Sequence, residues 1–166
     1  MNKWMIGTAK YTEQQNDGSY KRVSGKYLLT AVTFTEAETR LYENLGRMVR
    51  GSFSVTAIAV EELEDLVIAD GLEINDKDFW YKCKVAYQDP ETEKKKMIAR
   101  VFYVNENSTK EAMELLLEHL VGWMVEFEVK AIVESPVLEA WPYGYIAPER
   151  VDEPEAVMAD EDLDEE

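Results

Sequence analysis

The sequence predicts an α+β fold built by tandem duplication, in which a β-β-α-β unit occurs twice. The units would form two antiparallel sheets, or one composite sheet, with two helices packed on one face and a disordered acidic C-terminal tail. Three observations carry this reading. Apolar and aromatic positions recur at spacings of 74 to 76 residues: Trp4, Ala9 and Tyr11 align with Trp80, Val85 and Tyr87, and Phe53, Val55 and Ala57 with Phe127, Val129 and Ala131. A capping box occurs once per copy, as Thr33-x-x-Glu36 and Ser108-x-x-Glu111. Strict apolar alternation follows each helix.

The elements follow in order. Residues 3–12 and 19–30 are extended runs split by the turn cluster Gln14-Gln15-Asn16-Asp17-Gly18; in the second copy residues 79–88 and 95–104 are split by Asp89-Pro90-Glu91-Thr92. Behind the capping boxes, Ala37, Leu41, Leu45 and Met48 lay one apolar stripe along a helix, and Ala112, Leu116, Leu120 and Trp123 repeat the same spacings. Gly51 ends the first helix, and the second frays near residues 122–126. Phe53 to Ala59 and Phe127 to Val133 alternate as half-buried strands. After Pro136, residues 137–143 fit an edge strand, the only kind that tolerates Pro142.

One three-stranded sheet under one helix is small for independent stability, so the copies are expected to pack about a pseudo-twofold axis as one composite domain, residues 1–146. Within it, repeat one spans 1–69, the linker 70–78 and repeat two 79–146. The remainder, 147–166, is acidic and poor in large apolar residues, which favours disorder.

Composition excludes several functions. Cys83 is the only cysteine and His119 the only histidine, which rules out an intramolecular disulfide and a Cys/His zinc site. The N-terminus turns polar after one short apolar run and no segment approaches a membrane span, so a cytoplasmic protein with no membrane association is expected. There is no Gly-rich phosphate loop, nucleophile elbow or metal-ligand spacing, so neither enzymatic activity nor a cofactor is expected. The net charge of -16 is unevenly spread: residues 1–30 and 77–104 each carry +3, against -7 for 31–76, -6 for 105–148 and -9 for 149–166.

The segments Tyr27-Leu28-Leu29-Thr30-Ala31, Phe34-Thr35-Glu36-Ala37-Glu38, Phe79-Trp80-Tyr81-Lys82-Cys83-Lys84 and Trp141-Pro142-Tyr143 resemble a domain of unknown function found in Bacteroidetes bacteria and their phages. The resemblance covers about residues 3–143. It implies an intracellular bacterial or phage setting, in the cytoplasm of the host cell, and supplies no catalytic residues.

Alternation in the hairpins places Met5, Gly7, Ala9 and Tyr11, like Tyr81, Cys83, Val85 and Tyr87, on the face turned to the helix. The opposite face carries Trp4 and Lys10, or Trp80, Lys82 and Lys84, joined by Arg22, Lys26 and Arg100. If that face is open, aromatic rings interleaved with cations hold single-stranded nucleic acid, bases stacking and cations tracking phosphates. The leading expectation is therefore a non-catalytic single-stranded DNA-binding protein of a phage or mobile element, using Trp4, Lys10, Arg22, Lys26, Trp80, Lys82, Lys84 and Arg100. Its acidic tail would recruit replication or other proteins, and exposed sheet edges would permit a homo-oligomer. The alternative packs both tryptophans between the repeats. The chain is then an acidic protein-interaction module, a regulator or nucleic-acid-mimicking decoy, that works through Glu36, Glu43, Glu111, Glu114 and Glu118.

Overall fold

A computed structural model of the chain describes residues 1–89, 91 and 96–149. Repeat one runs β1 (Lys3–Gln14), β2 (Tyr20–Ala31), α1 (Phe34–Met48), β3 (Phe53–Val60) and β4 (Asp65–Val67). Repeat two runs β5 (Phe79–Gln88), β6 (Met97–Glu106), α2 (Thr109–His119), β7 (Phe127–Ser135) and β8 (Val137–Trp141). Both copies thus have the expected order, each closing on a short strand, of which β8 was expected and β4 was not.

Local chemistry sets the boundaries. The first hairpin closes where Asp17 accepts from both the backbone N–H and the hydroxyl of Ser19, with Gly18 at a φ of 88° that other residues rarely adopt. Thr33 and Ser108 cap the helices by accepting from the N–H groups of Glu36 and Glu111. The reciprocal arms differ: Glu36 reaches the Val32 N–H at 2.6 Å, while Glu111 accepts from the Ser108 hydroxyl at 3.0 Å. α2 stops at His119 and α1 runs to Met48, with Gly51 at a φ of 79° just beyond it.

The sheets form by exchange. One has the order β3-β1-β2-β8 and the other β4-β6-β5-β7. Within each repeat the three long strands pair antiparallel. Each short strand crosses over: β8 of repeat two pairs parallel with β2, and β4 of repeat one pairs parallel with β6. β8 is the edge strand expected after Pro136, and it lies on the sheet of the other copy.

Each helix covers one face of its own sheet. Met5, Ala9, Tyr27 and Leu29 pack on Ala37, Leu41 and Leu45, and Cys83, Val85, Phe102 and Val104 pack on Ala112, Leu116 and Leu120. The exchanged strands complete these cores, since Trp141 stacks on Tyr27 at 4.9 Å in the first and Val67 enters the second. A third core joins the faces that point away from the helices, with Leu28, Trp80, Tyr103, Val137 and Ala140 at its centre and Trp4, Ile6 and Leu66 around it. The layers are therefore helix, sheet, sheet, helix.

Two expectations need correction. The face opposite each helix is not an open platform, because sheets this small bury more apolar surface by packing back to back. The tail boundary also moves: Ala147 is fully buried, donating its N–H to Asn44 Oδ1 at 2.9 Å and accepting from Arg47 Nε at 2.6 Å. The expected disorder of the later tail falls on residues 150–166, which lie outside the described residues, as does most of the second hairpin turn.

Candidate interaction surfaces

The linker builds the inter-sheet seam around Trp80, which is 1% exposed. Asn75, held at a φ of 71°, accepts from Trp80 Nε1 at 2.9 Å and from the Ala140 N–H at 2.8 Å, and donates to the Ala140 carbonyl at 2.9 Å. One amide thereby satisfies the indole and clips β8 in place. Trp80 is core and offers no ring to a base. Trp4, its counterpart, is half-buried against the same core.

The expected cations do not form one surface. Lys10, Arg22 and Lys84 are exposed on strand faces turned away from the helices. Lys26 is half-buried and donates to Thr8 Oγ1 at 3.0 Å. Lys82 pairs with Glu61 at 2.8 Å. Arg100 lies opposite Val85 in the ladder, so alternation turns it to the α2 side with Phe102 and Val104. There it pairs with Glu64 at 3.2 Å and lies 5.9 Å from the Tyr87 ring centre. Its expected place among the hairpin cations is incorrect.

Lys26 and Lys82, one from each repeat, do share a cavity of about 360 Å³ at the seam, lined also by Ile6, Glu61, Tyr103 and Ser135. Tyr103 donates to Glu61 Oε2 at 2.6 Å; burial first, then this bond to a carboxylate, raises the tyrosine pKa above its ordinary value. Glu61 thus joins a lysine of repeat two to a tyrosine of repeat two across the seam. This is an interlock, and it holds neither a histidine nor a thiol.

Cys83 is buried, and desolvation pushes its thiol up to about 12, far from the thiolate a nucleophile needs. No group of three or more His, Cys, Asp or Glu among the described residues is placed to hold a metal, and no helix among them is long and apolar enough to cross a membrane. His119 sits 3.6 Å from Asp65 and edge-on to Phe102, a contact between α2 and the exchanged strand β4.

The helix layers face outward and acidic. Glu43, Glu111, Glu114 and Glu118 are exposed, while Glu36 is half-buried in its capping role. Sequence reasoning missed Asn75, Glu61 and Tyr103, whose importance comes from contacts across the duplication and leaves no periodic signal. It also passed over a second apolar row, Met113 and Leu117 on α2 with Val121 just past its end, whose spacing of four was legible beside the core stripe.

No curated protein matches the chain. The family model of a domain of unknown function, DUF4494, matches residues 3–143, from the first residue of β1 to just past β8, which takes in both repeats and the exchanged strands. The chain therefore belongs to this family, the domain of unknown function DUF4494.

Proposed function

We propose that the protein is a non-catalytic interaction module that works through its acidic helix layer. The burial of Trp80 carries this reading, because it removes the stacking element from the hairpin faces and leaves the helices as the outward surface of both repeats. The charge supports it as well: four of the five glutamates named above are exposed on the two helices, where a basic partner would meet them without prior desolvation.

A second reading, single-stranded nucleic acid held along the hairpins, is favoured by the convergence of Lys26 and Lys82 on one cavity, with Lys10, Arg22 and Lys84 exposed on the same strand faces. Tyr20, 70% exposed and two residues from Arg22, would then replace the tryptophans as the stacking ring. Titration of a fluorescent oligothymidine into the full chain and into a chain ending at residue 149, at low and high salt, separates the readings. The interaction module gives no binding in either form. Salt-sensitive binding that strengthens on tail removal and is lost in Lys10→Glu/Lys84→Glu would overturn it in favour of nucleic acid.

A further inference from the structure

We propose that the outer face of α2 is the docking site for a basic amphipathic helix of a partner protein, an assignment that rests on the interaction-module reading and makes it specific. Met113 and Leu117 lie one turn apart on α2, and Val121 and Met124 follow in the segment beyond its end at His119, on either side of Gly122 at a φ of 95°. They are 36%, 42%, 79% and 97% exposed, respectively. Ala112, Leu116 and Leu120 already seal α2 onto its sheet, so folding does not call for this second row. From Met113 to Leu117 the helix rises about 6 Å at 1.5 Å per residue, one turn, and Val121 stands just past the last helical residue, His119.

Repeat one shows that the fold does without such a row. At the aligned positions α1 and its exit carry Glu38, Tyr42, Gly46 and Val49. Of these, Tyr42 packs on Phe53 at 5.3 Å and Val49 is half-buried against its own core. Exposed large apolar side chains contiguous on one helix face mark contact sites more often than they occur by chance. The unbranched Met113 adapts to the shape of a partner.

Charge selects the occupant. Glu114 and Glu118 border the row on one side and are exposed, and neither forms an ion pair among the described residues; Lys110, three residues before Met113, heads the same row. Lys110 is the only lysine or arginine in α2. An apolar row edged by carboxylates complements a helix with leucines on one face and lysines or arginines beside them. It repels an acidic helix, and a second copy of α2 would bring its own glutamates against these.

The test uses the full chain and fluorescein-labelled 18-residue helical peptides: a Leu/Lys amphipathic sequence, its scrambled form, and a Leu/Glu analogue. Anisotropy at moderate salt should show saturable binding of the Leu/Lys peptide alone. Leu117→Asp/Val121→Asp should weaken it about tenfold or more, and Glu114→Lys/Glu118→Lys should weaken it severalfold while admitting the Leu/Glu peptide. The α1 variant Tyr42→Asp/Glu43→Lys should bind as the parent does. An unchanged unfolding midpoint in each variant excludes misfolding as the cause. Loss of binding in the α1 variant with none in the α2 variants overturns the assignment to α2 and leaves the interaction module standing. No binding of the Leu/Lys peptide by any form overturns both. A dimer in light scattering that Leu117→Asp/Val121→Asp converts to monomer makes a second copy the occupant and overturns the partner proposed here.

Discussion

The two repeats share their elements, their caps and their helix-facing residues, yet they spend the same positions differently. In repeat one, the strand under the helix carries Gly7, and a Cβ there would lie 2.4 Å from Leu41 Cδ1. The aligned residue in repeat two is Cys83, which shares its core with Leu116. One copy seats its leucine in the gap left by a missing side chain; the other fills the position with a thiol. The first tryptophans diverge as well: Trp80 is enclosed and hydrogen-bonded by the linker's Asn75, whereas Trp4 keeps part of its surface in water. A duplicated fold conserves what its core needs and leaves the linker, which occurs once, to break the symmetry.

The largest expected effect tests that asymmetry. Trp80→Ala should cost about 3 to 5 kcal/mol of stability in urea unfolding, the range for fully buried tryptophan, and Trp4→Ala clearly less. Equal losses would mean that the tryptophans are equivalent and that the linker does not distinguish them. Next, Gly7→Ala should destabilise by about 1 to 3 kcal/mol, since Leu41 is fully buried and cannot swing aside. A neutral result would show that α1 can lift off its sheet. By contrast, Gly46→Ala on the exposed side of α1, where an added Cβ meets nothing within 4 Å, should stabilise by roughly 0.5 to 1 kcal/mol.

The last prediction is silent at neutral pH. Tyr27, Tyr103 and Cys83 all hold their protons more tightly folded than their ordinary values of 10.0, 10.0 and 9.0 imply, burial being the first cause in each. The unfolded chain therefore releases protons first as pH rises. Their contribution is complete below pH 9 and is lost progressively above it, so the urea midpoint should fall between pH 9 and 11. Tyr103→Phe should make that fall shallower, whatever it does to stability at pH 7. An unchanged slope would assign the alkaline loss to other groups.

Much of the fold was legible because its determinants are local. Alternation assigned Met5, Ala9, Cys83 and Val85 to the helix side without knowledge of the partner element, and spacing did the same for Leu41 and Leu116. The candidate surface was legible only in part. Alternation correctly separated Trp80 from the helix-facing set, but it cannot say whether the other face meets water or protein. Arg100 failed for a simpler reason: its place depends on the register of β6 against β5, which the sequence of the connecting segment does not specify.

By itself the sequence determined the duplication, both caps, the two helix-to-sheet cores and the segregation of positive charge into the hairpins, because these depend on contacts within a repeat or on composition. Tertiary structure alone decided the exchange of β4 and β8, the closure of the seam over Trp80, the pairing of Lys82 with Glu61 and the exposure of the second row on α2. Those features arise between residues far apart in the chain, where the free energy depends on which surfaces meet, and a periodic pattern records only that a surface is apolar.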